Sequence, residues 1–136
     1  MTRTALPVAV AVLVVTDLVG GLIAVATEVN SWPDAWGGHA LLAAPVPMVA
    51  AQVLLTWLAL RIPGRGAALP AGLLAAACLV SVVSGFFDGG LGHDSLSPAL
   101  VAYQVLLLTV TGVVGVLAAA RARDAIRTVR PSALSV

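Results

Sequence analysis

Residues 5–29 form a run of twenty-five residues with one ionisable group deep inside it, Asp17, and a second, Glu28, at its far end. About twenty apolar residues in a helix cross a hydrocarbon core of roughly 30 Å, so this run reads as a membrane span. A carboxylate inside it costs about 2.5–3.5 kcal/mol to insert. Whatever else the chain builds must shield that group. Three more apolar runs follow, at residues 40–60, 67–87 and 98–120, and the simplest architecture wraps them around the first.

Composition excludes the main alternative. Of the 136 residues, 60% are hydrophobic and 10% charged, and the mean hydropathy is +1.07. Soluble domains average about 45–50% apolar and about 25% charged residues. A secretory signal is the rival reading of the N-terminus, with Arg3, an apolar run and Ala24-Val25-Ala26 as a cleavage-like site. The run is too long for an ordinary signal core and carries Asp17 within it, which favours a span. The chain is expected to be one integral membrane domain over residues 1–136, with a basic tail at 121–136.

Breakers separate the spans. Asn30, Pro33 and the pair Gly37-Gly38 lie in the first loop, 27–38. Pro45 and Pro47 fall in the first two turns of the second span and should kink it. Residues 61–66 make a tight basic turn, and the third loop covers 88–97. Ser97-Pro98 reads as a helix cap followed by a first-turn proline.

Charge predicts orientation. All seven basic residues are arginine. Arg3, Arg61, Arg65, Arg121, Arg123, Arg127 and Arg130 fall on one side of a four-span arrangement. Glu28, Asp34, Asp88 and Asp94 fall on the other, and Asp124 alone breaks the partition. Cytoplasmic loops collect arginine and lysine. The expected fold is therefore an all-α, up-down-up-down bundle of four transmembrane helices in the plasma (inner) membrane, both termini cytoplasmic. The Ala, Val, Leu, Gly and Arg richness suggests a high-GC, bacterial genome.

Small residues recur at four-residue spacing, Ala68-Gly72-Ala76 in the third span and Thr111-Gly115-Ala119 in the fourth. In lipid, helices associate through such close-packing seams and a few polar contacts. Polar residues also share faces at helical spacing. These are Asp17, Gly21, Ala24 and Glu28; Met48, Gln52 and Thr56; Cys78, Ser81, Ser84 and Asp88; and Gln104, Thr111 and Gly115. At a rise of about 1.5 Å per residue, Asp17, Gln52, Ser81 and Thr111 come to a similar mid-membrane level. They form the candidate intramembrane cluster. Asp17 either fixes helix register through hydrogen bonds or binds a proton, cation or amine, and no basic residue in any span pairs with it.

A second constellation falls at the outer end: His39, His93, Asp88, Asp94 and Glu28. Imidazole with carboxylate suits Zn²⁺ and other transition metals, although these residues lack the tight spacing of a metal motif. Haem between the histidines is disfavoured because neither lies within a span. Trp32, Trp36, Phe86, Phe87 and Tyr103 cluster toward that end and Trp57 lies near the other, as an interfacial belt would. Arg121, Arg123, Arg127 and Arg130 should attract anionic inner-leaflet lipid. Lone Cys78 reads as a packing residue. No phosphate loop, nucleophile–base set, CxxC or zincin helix is present, and nucleic-acid binding does not fit.

Three function classes remain from the residues alone. The first is a proton- or cation-responsive transporter or channel component acting as a homo-oligomer. The second is a non-catalytic accessory or assembly subunit of a larger membrane complex. The third is a membrane metal or redox protein using the outer histidines and carboxylates. A resident cofactor is not expected, and enzymatic activity is disfavoured.

Overall fold

Runs of Ala, Val and Leu with few breakers favour long helices, and that is what forms. The computed structural model describes residues 4–87, 91–94 and 96–127. Four α-helices follow in order: α1 (Ala5–Ala26), α2 (Val46–Arg61), α3 (Ala68–Phe87) and α4 (Pro98–Arg127). Single turns of 3₁₀-helix, Asp34–Trp36 and Gly64–Ala67, interrupt the first two connections. Among the described residues there is no strand. Three helical stretches, Ala5–Ala26, Gly64–Phe87 and Pro98–Arg127, are long and apolar enough to cross a membrane, and Val46–Arg61 is a shorter apolar helix.

Two apolar clusters set the packing. Leu6, Val10 and Leu13 of α1 meet Leu74 and Cys78 of α3 and Val114 and Ala118 of α4. At the other end, Ala24 of α1 joins Ala35 and Leu42, with Leu100 and Tyr103 of α4 packed beside them. The start of α1 thus lies level with the end of α4, and neighbouring helices alternate in direction. Large apolar side chains such as Val15, Leu22, Leu69, Leu79 and Val116 cover the outside. That much exposed apolar surface fits a helical bundle bathed in lipid.

The second apolar run departs from expectation. It does not kink at its prolines; α2 begins only at Val46, and residues 40–45 run irregularly before it. Proline disfavours helical geometry at the residue before it, which keeps Ala44 non-helical. Pro47 is then accommodated in the first turn, where its missing N–H has no intrahelical role. The sixteen residues of α2 span roughly 24 Å at 1.5 Å per residue.

The expected seam on the third helix is also corrected. Gly72 faces open space, with nothing within 4 Å of where a Cβ would sit. Ala76 is exposed, and α3 instead buries Ala71, Leu74 and Cys78. The fourth-helix seam engages in part: Thr111 is buried and a Cβ at Gly115 would lie 3.1 Å from that of Cys78, whereas Ala119 is exposed. Nor does α4 stop at residue 120, because its helix continues to Arg127. Arg121 Nη2 donates to the Ala59 carbonyl at 3.2 Å, satisfying one of the last carbonyls of α2. Of the four arginines expected to face lipid, this one is engaged within the fold; Arg123 and Arg127 are exposed, and Arg130 lies outside the described residues.

Helix α1 ends by turning sharply. The Val29 N–H bonds to Ala24 O at 2.9 Å and the Glu28 N–H to Val25 O at 3.1 Å, the paired bonds of a Schellman cap. Glu28 takes the left-handed position with φ of 58°, where a side chain is strained and glycine is usual. Glu28→Gly is therefore expected to stabilise the fold by about 0.5–1 kcal/mol. A melting temperature at or below that of the unaltered chain in the same detergent would contradict this.

Candidate functional site

The irregular stretch before α2 carries backbone groups that have no helical partners, and polar side chains from three directions satisfy them. Asn30 accepts from the Leu41 N–H and donates to the His39 carbonyl, both at 3.1 Å. Gln104 of α4 donates to the Leu41 carbonyl at 2.9 Å and accepts from the Gly92 N–H at 3.1 Å. Asp17 of α1 accepts from the Ala44 N–H through Oδ1 at 2.8 Å. Buried backbone groups must be paired somewhere, and here the pairing is by side chain.

The stretch can approach α1 because α1 presents Gly20 and Gly21. A Cβ at Gly20 would collide with the Leu42 carbonyl oxygen and would stand 2.9 Å from the Tyr103 ring. A Cβ at Gly21 would stand 2.5–2.9 Å from three atoms of the Trp36 indole. The two glycines make a notch, filled by the Leu42 backbone and the Trp36 ring. Tyr103 closes it from α4, its hydroxyl donating to the Thr16 carbonyl at 2.5 Å.

Asp17, Gln52, Ser81 and Thr111, the residues expected to converge from their depths, all line one cavity of about 300 Å³. Ala43, Pro45, Met48, Val80, Ser84, Leu107 and Leu108 complete much of its wall. Asp17 is 1% exposed and Gln52 3%. Two oxygens on these residues, Asp17 Oδ2 and Gln52 Oε1, are buried without a hydrogen-bond partner. Two of the hydroxyl protons are committed elsewhere: Thr111 donates to Leu107 O at 2.8 Å, and Ser81 to the Met48 sulfur at 3.3 Å. The Gln52 amide and the Ser84 hydroxyl add donors to the same wall, which therefore offers both halves of a hydrogen bond.

Asp17 and Ala44 also border a second cavity of about 250 Å³, otherwise lined by Val14, Leu18, Trp36, Val46, Val49 and Ala50. The Asp17–Ala44 hydrogen bond stands between the two spaces.

The outer constellation does not converge comparably. Among the described residues no three His, Cys, Asp or Glu side chains lie close enough together to hold a metal ion. Glu28, His39, His93 and Asp94 are exposed, and Asp88 lies outside the described residues. Two of the aromatics assigned to an interfacial belt have other work. Trp36 packs on Gly21 with its Nε1 buried and unpartnered, and Tyr103 bonds to α1. Trp32 meets Trp36 edge-on at 6.0 Å. Trp57 keeps an exposed position, with the Arg61 guanidinium 5.4 Å from its ring centroid.

Sequence reasoning did not find Asn30 or Gly20 as organising residues, and it placed Gln104 only on a polar stripe. The signal available was Asn30 ahead of a proline-broken apolar run; Gln104 lies 63 positions from Leu41, and no local pattern ties the two. The fold and site together define an all-helical, lipid-compatible bundle in which, among the described residues, one buried carboxylate stands beside a cavity lined from all four helices. No family model matches the chain, and comparison with curated proteins and with solved structures finds no match.

Proposed function

We propose that this chain is a four-span membrane protein, both termini cytoplasmic, in which Asp17 takes up and releases a proton or cation as part of a transporter or channel component. The observation that carries the reading is the division of labour within one carboxylate. Oδ1 holds the Ala44 N–H, whereas Oδ2 is buried and unmatched on a residue that lines a cavity together with Gln52, Ser81 and Thr111. Intramembrane ionisable groups on water-accessible cavities commonly mark ion or proton pathways. The irregular residues 40–45 extend the short α2 to a full crossing, since non-helical backbone at membrane depth is tolerated where protein covers it. Leu42 and Ala43 are buried. A single bundle of four helices encloses little volume, so a homo-oligomer completes the path. Arg123 and Arg127 are exposed, and their charge, with that of Arg130 in the tail sequence, suits anionic lipid of the inner leaflet.

One observation favours the second reading, an accessory or assembly subunit. The Asp17–Ala44 bond by itself gives the carboxylate a structural task. Substitution separates the two. Asn at position 17 retains an amide oxygen for the Ala44 N–H but removes the charge. Ala leaves that N–H unpaired, at a cost of about 1–3 kcal/mol. The Asn variant is expected to melt near the unaltered chain and the Ala variant well below it. Infrared spectra of the protein in lipid, recorded across pH with the Asn variant as reference, then read the carboxyl band. A band that changes with pH, together with gradient-driven flux lost in the Asn variant, supports the transport reading. An unchanging band with an equally stable Asn variant removes it in favour of the accessory subunit.

A further inference from the structure

We infer that Asp17 exchanges its proton through the end of the bundle that carries the first and third loops, with residues 40–45 as the element that opens, and not through the arginine-bearing end. The inference rests on reading Asp17 as a proton-responsive group. The carboxylate is covered in this structure: Asp17 is 1% exposed and its Oδ2 is buried. Exchange therefore needs a local opening, and proteins open locally where the fewest packed contacts must break.

The two sides of Asp17 differ in what has to move. Toward the arginine end, Val10 and Leu13 of α1 pack on Leu74 and Cys78 of α3 and on Val114 and Ala118 of α4, each no more than 4% exposed. Opening there separates three helices along an apolar core. Toward the loop end the packing is already incomplete. The cavity of about 300 Å³ reaches from Gln52 and Thr111 to Gly38 and Ala40 ahead of α2 and to Ser84 in the last turn of α3. A neighbouring cavity of about 120 Å³ shares Ala40, Gly85, Leu107 and Leu108 with it and continues to Leu91 in the third loop. Ala43, Ala44 and Pro45 form the wall beside Asp17. This stretch is not helical, and the Ala44 N–H is its hydrogen bond to the carboxylate. Lifting it breaks a few hydrogen bonds, worth about 0.5–1.5 kcal/mol each, and parts no pair of helices. Among the described residues neither cavity bordering Asp17 is lined by another titratable side chain; α4 brings Tyr103 to this part of α1, its hydroxyl on the Thr16 carbonyl.

The test is thiol labelling of the full chain in lipid nanodiscs, in a Cys78→Ala background, with a charged methanethiosulfonate that reaches cysteines only through water. Single substitutions Ser81→Cys and Thr111→Cys probe the cavity, and Val10→Cys and Val114→Cys probe the apolar core. The cavity pair is expected to react at least about tenfold faster, the ratio set by ~1.4 kcal/mol of opening cost. Asn30→Ala removes the side-chain bonds to the His39 carbonyl and the Leu41 N–H. It should speed the cavity pair by about tenfold and leave the core pair unchanged. A core pair as fast as the cavity pair would overturn the inference. So would an Asn30→Ala chain that changes none of the four rates, or all four alike, the second being general loosening. If a core cysteine unfolds the chain, hydrogen exchange of the unaltered protein decides: the amides of residues 41–44 must exchange ahead of those of 74–78. A carboxyl band that follows pH while the cavity pair stays as slow as the core overturns the route and leaves the proton reading standing. A band unmoved by pH removes both.

Discussion

A methyl group added at Gly20 is expected to cost the bundle about 3 kcal/mol, the upper end of the usual loss at an overpacked position. The reason is what the added carbon meets. Most overpacked sites press on a side chain that can rotate, but here the obstacle is the backbone carbonyl of Leu42. That carbonyl belongs to a stretch pinned on both sides, at Leu41 by Asn30 and Gln104 and at Ala44 by Asp17. It has no room to yield, so the whole stretch must lift away from α1. Gly72→Ala is the matched control. Its new methyl enters open space, and replacing glycine inside a helix gains up to about 1 kcal/mol. Apparent melting temperatures in micelles should move in opposite directions, with altered Trp36 emission in the Gly20 variant only. Equal melting temperatures would mean that the notch is not closely filled.

Gln104→Leu should cost about 2–3 kcal/mol, mainly through the Leu41 carbonyl it abandons, since a buried acceptor without a donor forfeits about 1–3 kcal/mol. A second partner, the N–H of exposed Gly92, finds water instead. Gln104→Glu is expected to be worse than Leu despite its closer shape. It sets a carboxyl oxygen against a carbonyl oxygen where a donor had been. Hydrogen exchange over residues 39–45 measures this directly, with protection expected in the order Gln, Leu, Glu. A Glu variant as protected as the unaltered chain would refute the account.

How much of this was legible beforehand depended on the range over which each feature is encoded. Helix periodicity and depth are local. They placed Asp17, Gln52, Ser81 and Thr111 at one level, and all four line one cavity. The Ser97–Pro98 pair marked the start of α4, where the Ser97 side chain and carbonyl receive the Leu100 N–H. Apolarity alone, by contrast, does not distinguish a buried helix from a buried irregular strand of chain. By apolarity, residues 40–45 read as the first turns of a helix. Their real partners are Asn30, Asp17 and Gln104, up to 63 positions away, and no window on the sequence links them. The Gly20–Gly21 notch was hidden for a related reason. Its occupants, Leu42 and Trp36, come from a loop whose path depends on that same pairing.

The distance between Leu41 and Gln104 bears on how the chain is made. A ribosome releases the proline-broken stretch long before it releases α4, so during synthesis the Leu41 carbonyl precedes its donor by most of the remaining protein. Asn30 and Asp17, already in place, can hold the N–H groups of Leu41 and Ala44 in the interval. The acceptor side must wait. In the proposed four-span arrangement the first three helices can enter the bilayer in turn, and the backbone before α2 is fully paired only when the fourth arrives.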